Sequence, residues 1–245
     1  MKRRRSKISF AIVPLLLLAC AVEARAEDER SARLLGTTLW KPESAIPSTP
    51  QRAPGMLIWE VTRHPAGEPT PEEKRAGEDL IQRSYEAAEK MGWFKFETSV
   101  RGGYRGMFDD DIHYANEEYI RDDAILDPER PEFLMYYRSG GKRVLVGLMY
   151  LVDEPLKEGP QIGGADTIWH YHVWSSKVCL LEELVVVGRP DENGACRRGT
   201  PGHRSPEMIH VWLVDHPDGP FTSNMAMDRE LLPELLERRL EARGF

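Results

Sequence analysis

The 245 residues carry 33 Lys and Arg against 40 Asp and Glu, a net charge of −7, with 41% hydrophobic and 30% charged residues. That length and balance describe a globular chain able to form one sizeable core or two small ones. Its acidity argues against nucleic acid or an anionic lipid surface as the main partner.

Residues 1–26 read as an export leader and stand outside the fold argument. Lys2, Arg3, Arg4, Arg5 and Lys7 form a basic start, and the apolar run Ile8–Ala19 is too short and Pro-interrupted to anchor in a bilayer. Two processing signals compete at its end. Ala24-Arg25-Ala26 is a small-x-small site that would release a chain beginning at Glu27, and Leu17-Leu18-Ala19-Cys20 resembles the lipobox of bacterial lipoproteins, which would leave Cys20 lipidated. Either route places the protein in the periplasm or cell envelope, with a membrane attachment only through that N-terminal lipid. Without the leader the net charge is −12. Besides Cys20 the chain holds only Cys179 and Cys196, and an oxidising compartment favours a disulfide between them over two thiolate ligands.

Residues 27–54, with Pro42, Pro47, Pro50 and Pro54, read as a flexible arm. A single globular domain over 55–245 follows. Met56 to Val61 is a short strand. Thr70-Pro71-Glu72-Glu73 is a helix start with Thr as N-cap, Pro at the first position and Glu at the third. Ala76, Leu80, Ile81, Ala87, Ala88 and Met91 then recur at helical spacing until Gly92.

Residues 93–131 show no clear period. Phe133–Tyr137 and Val144–Val152, joined by Ser139-Gly140-Gly141, form a hairpin pattern. Thr167–Trp174, Val178–Val187 and Met208–Val214 read as three further strands. Leu231, Leu232, Leu235, Leu236 and Leu240 line a short C-terminal amphipathic helix. The fold class expected is α+β: a mostly antiparallel sheet or small barrel with an N-terminal amphipathic helix and a short C-terminal helix.

The chemistry-bearing pattern is a repeated tripeptide, His172-Val173-Trp174 and His210-Val211-Trp212, with His170 two residues before the first copy. Side chains alternate along a strand, so His170, His172 and Trp174 share one face, as do Met208, His210 and Trp212. If the two strands neighbour each other, three imidazoles converge. Three imidazoles hold zinc at ~2.0–2.1 Å and leave a position open for water. Copper, manganese and iron suit the same donors. His113, Glu182, Glu183 or one of Asp109, Asp110 and Asp111 could complete the set, and His113 is also placed to carry a proton. The competing readings make these histidines packing residues, or acid/base groups that work without a metal. His64, His203 and His216 lie beside Pro or Gly and read as surface residues.

The spacing Gly164, His170, His172 fits the opening of a cupin motif, but Ser176 and Lys177 stand where that motif needs a glutamate. Cupins therefore serve only as an analogy for ligand geometry. Gly-x-Ser-x-Gly, phosphate-loop, dinucleotide and His-Glu-x-x-His patterns are missing from the chain. A plain hydrolase of a well-signposted type is thus not expected.

Several segments together are similar to an uncharacterised group of exported bacterial proteins. They are Gly103-Tyr104, His113-Tyr114-x-Asn116, the stretch 123–134, Val146-Gly147-x-x-Tyr150, Trp169-His170-x-His172, His210-Val211-Trp212 and Pro217-x-Gly219-x-Phe221. The resemblance spans Thr70 to about Asn224 and departs at Asp215-His216-Pro217, where an Asn before the proline is expected. It implies that His113 and both His-Val-Trp regions belong to one recurring design. Two functions follow as expectations: an envelope protein binding a divalent transition metal through His170, His172, His210 and His113, or a non-catalytic binding module whose histidines are structural.

Overall fold

A computed structural model describes residues 45–47, 51–53, 56–63, 67–107, 110–228 and 232–242. The leader, Cys20, the first part of the arm, His64 and Asp109 lie outside the described residues. The strands are β1 (Ala45–Pro47), β2 (Gln51–Ala53), β3 (Met56–Arg63), β4 (Arg105–Gly106), β5 (His113–Ala115), β6 (Phe133–Ser139), β7 (Lys142–Leu151), β8 (Trp169–Leu181), β9 (Val185–Gly188), β10 (Thr200–Arg204) and β11 (Met208–Trp212). The helices are α1 (Pro71–Lys90), α2 (Phe96–Arg101) and α3 (Leu232–Ala242).

All strands join one antiparallel sheet in the order β1-β3-β8-β11-β7-β6-β5-β4, with β2 on β3 and both β9 and β10 on β8. The sheet curls into a half-barrel. Among the described residues β1 and β4 do not pair, so the curl is open where the sequence allowed a small barrel.

Three further differences from the sequence reading are local. The arm read over 27–54 already contains β1 and β2, both paired with β3. The segments read as Thr167–Trp174 and Val178–Val187 are one thirteen-residue strand, β8, followed by β9. The polar break that suggested two strands, Ser175-Ser176-Lys177, is exposed and sits where the β10 ladder skips residues between Val173 and Val178. The unpatterned stretch 93–131 supplies α2, β4 and β5, elements too short to show a period.

Helix α1 starts as its sequence requires. The Thr70 hydroxyl accepts from the Glu73 amide at 3.2 Å, and the Glu73 carboxylate accepts from the Thr70 amide at 2.7 Å. Such a cap stabilises a helix by about 1 kcal/mol. Its apolar face, including Leu80, Ile81, Tyr85 and Ala88, packs with Leu148, Tyr150, Ile209, Val211 and Leu213 of the sheet segments. The Tyr85 hydroxyl donates to the Leu213 carbonyl.

Alternation along the strands sends the other residues to the opposite face. There Phe133, Met135, Met149, Met208 and Trp212 form a second cluster, joined by Leu232 and Leu235 of α3 and by Met225 and Met227. Cys179 and Cys196 are disulfide-bonded with Cα atoms 5.6 Å apart, so neither is a thiolate ligand. No helix among the described residues is long and apolar enough to cross a membrane.

Candidate metal centre

The start of strand β8 lies between β3 and β11, which it meets at His170, and this places the histidines. Register sets Glu60 opposite His172, Thr62 opposite His170, and Met208 opposite His170. Direct cross-strand partners share a face, with Cβ atoms about 4.5–5.5 Å apart. Glu60, His170, His172, Met208 and His210 therefore project from one side of the sheet, while Trp59, Trp169, Tyr171 and Val211 project from the other. The alternation read from the two tripeptides holds.

One ligand atom from each of Glu60, His170 and His172 lies within 4.8 Å of the others. Among the described residues this is the group of three or more metal-ligating side chains that could hold an ion. The His172 Nε2 to Glu60 Oε2 distance is 3.7 Å. A tetrahedral centre with bonds of ~2.0–2.1 Å sets its ligand atoms roughly 3.4 Å apart. The pair thus stands close to bonding separation, and the third ligand atom lies within 4.8 Å of both.

The expected ligand set changes in two ways. Glu60, on a strand whose other residues gave no sign of chemistry, takes the place of a third histidine. The one available signal was a lone carboxylate inside the apolar run Met-Leu-Ile-Trp-Glu-Val. His210 and His113 stand outside that triad but continue it as a row. Ring centroids are 5.8 Å apart for His172 and His170, 4.8 Å for His170 and His210, and 5.7 Å for His210 and His113.

Glu182 and Glu183 lie exposed in the β8–β9 turn, where Glu182 pairs with Arg121. Neither is near the row. Asp110 accepts from the Ile112 amide at 2.6 Å and holds His113 Nδ1 at 2.6 Å. His203 Nδ1 lies 3.0 Å from the Trp174 carbonyl. His216, read as a surface residue, is buried with its ring 4.7 Å from that of Trp212. The turn it occupies folds back over β11, and its Nδ1 accepts the Asp218 amide at 3.1 Å.

The segment Thr222–Ser223 closes over the row and was not singled out by the sequence. The Ser223 hydroxyl donates to Glu60 Oε1 at 2.6 Å. The Thr222 carbonyl accepts from Trp212 Nε1 at 2.9 Å and lies 3.3 Å from His210 Nδ1. The His172 amide donates to the Ser205 hydroxyl at 2.8 Å.

Burial works against charge throughout. For Glu60 it opposes ionisation, but the adjoining His172 and His170 imidazoles and the Ser223 hydroxyl outweigh it and hold the carboxyl at about 2. His170 is driven down to about 3, chiefly by burial, with Glu60 opposing that shift. Burial and the neighbouring imidazoles His170 and His113 also push His210 well below the ordinary histidine value. The result is an anionic Glu60 carboxylate beside a neutral His170, the protonation states a metal requires of such ligands. His170 Nδ1 and His113 Nε2 are buried and make no hydrogen bond of normal geometry among the described residues.

No protein-family model matches the chain, and neither a curated protein nor a solved structure does. The geometry alone states what the site can do: Glu60, His170 and His172 could hold a metal ion.

Proposed function

We propose that the protein is exported to the cell envelope and there binds a divalent transition metal through Glu60, His170 and His172. The approach of their ligand atoms to within 4.8 Å carries the reading. Two imidazoles and one carboxylate suit zinc or iron(II), with copper and manganese also compatible, and they leave coordination positions open for water or another ligand. The hydrogen bond from Ser223 to Glu60 fits the outer support that metal-ligating carboxylates carry.

Export is supported by the basic-then-apolar leader and by the Cys179–Cys196 disulfide, which suits an oxidising compartment. Retention at the membrane through a lipid on Cys20 belongs to the same proposal, as does membership of the exported bacterial group described above. Fractionation of cells carrying the wild type and Cys20→Ser tests the lipid: anchoring predicts loss of the membrane-bound fraction in the variant. Calorimetric titration of untagged, metal-free protein with zinc and with iron(II) tests the site. One equivalent bound by the wild type and none by a His170→Ala, His172→Ala variant supports the reading. A folded wild type that binds neither leaves the histidines as packing residues.

A further inference from the structure

His113 and His210 remain outside the triad, and the way each is held is informative. A histidine that ligates a metal through one nitrogen ordinarily has the other fixed by a carboxylate or a backbone carbonyl. His113 Nδ1 is fixed by the Asp110 carboxylate at 2.6 Å, and His210 Nδ1 stands 3.3 Å from the Thr222 carbonyl. Both rings therefore keep Nε2 for something else. His113 Nε2 is buried and has no hydrogen-bond partner among the described residues. The two rings stack with centroids 5.7 Å apart.

The ladder supplies further donors. Met149 on β7 is the direct cross-strand partner of His210, and Met135 on β6 is the direct partner of His113. Both methionines are buried and belong to the apolar cluster on the face that carries the histidines. Thioether and imidazole together, without a carboxylate, form a soft and uncharged donor set. A buried site of that kind favours a monovalent ion, whose charge costs less to desolvate than that of a divalent one.

We propose that His113 and His210, with the thioethers of Met135 and Met149, form a second metal position that takes monovalent copper. It adjoins the Glu60 triad through the contact between His210 and His170, yet its ligands are separate from that triad. Asp110 is a positioning residue for His113.

Anaerobic titration with copper(I) against a chromophoric copper(I) chelator tests this, with zinc titration of the same samples reporting on the triad. Glu60→Gln should lose zinc and keep one equivalent of copper(I). Met135→Leu, Met149→Leu, which nearly conserves volume, should fold normally and keep zinc. Its copper(I) affinity should fall about tenfold or more, and Asp110→Asn should weaken copper(I) by about 10–100-fold. In the wild type the methyl resonances of Met135 and Met149 should shift on copper(I) addition. Wild-type copper(I) affinity in both the methionine and His113→Ala variants, with unmoved methyl resonances, overturns the second position while leaving a zinc-binding triad intact. Loss of zinc binding in the wild type with copper(I) retained overturns the triad instead.

Discussion

Glu60 and His172 are direct cross-strand partners in the β3–β8 ladder, and their side chains approach to 3.7 Å over the face that also carries His170. The contact joins residues more than a hundred positions apart. Ser223 completes it from a third segment by donating to the far oxygen of the same carboxylate. Glu60 is thus held from both sides.

Ser223→Ala removes one hydrogen bond from that carboxylate and leaves the three ligands in place. Metal affinity should fall by about 10–100-fold, the usual effect of losing an outer partner of a ligand. Calorimetric titration reads this directly. Unchanged affinity would mean that the hydroxyl does not orient Glu60 for binding.

The metal-free protein should lose stability in acid in two stages. Folded His170 takes up its proton only near pH 3, whereas the unfolded chain does so near the ordinary value of 6.5. Stability present above 6.5 is therefore lost as pH falls through that window, and His210 shifts in the same direction. The Glu60 contribution is present above the ordinary 4.5 and is lost as pH falls towards about 2. Melting temperature measured from pH 7 to pH 4 should decline, and His170→Asn, His210→Asn should flatten the decline between about 6.5 and 4.5. A double variant with the wild-type slope would assign the acid sensitivity to other groups.

Much of this face was legible in the sequence because alternation is a local property. His170, His172 and His210 fall on one side as the repeated tripeptide implies, and β8 and β11 are neighbours. The capping residues of α1 and the glycine turn between β6 and β7 were legible for the same reason. Glu60 was not, because its role depends on the register between β3 and β8, which no local pattern encodes. Strand β10 was hidden by Pro201-Gly202, residues that punctuate an isolated chain but lie here opposite Cys179 and Val178. Thr222 and Ser223 matter through tertiary contact alone.

The ion pair between Arg63 and Glu207 ties the end of β3 to the start of β11. Arg63 donates through Nε at 3.0 Å and Nη2 at 2.7 Å, and the Gly159 amide donates to the same carboxylate at 2.8 Å. The Glu207 side chain is 4% exposed. Glu207→Ala leaves the part-buried Arg63 guanidinium with the Gly159 carbonyl alone, strands the Gly159 amide and should cost about 3 kcal/mol in urea denaturation. A loss below 1 kcal/mol would show that the Gly159 carbonyl and solvent suffice for Arg63.

Cys179 and Cys196 are 17 positions apart, so the disulfide closes a short loop joining β8 to the segment before β10. Cys179→Ser, Cys196→Ser should lower unfolding stability by about 3 kcal/mol through greater freedom of the unfolded chain. Comparing denaturation midpoints of oxidised wild type and variant checks this. Equal midpoints would contradict it.

The central claim is that Glu60, His170 and His172 bind a metal together. Its most direct test is zinc stoichiometry and affinity for untagged wild type beside Glu60→Gln, which keeps the side chain's shape and removes its charge. The account predicts one equivalent bound by the wild type, with affinity falling in Glu60→Gln by more than the ~10–100-fold that an outer partner is worth. Equal zinc binding by the two proteins, both folded, would contradict it.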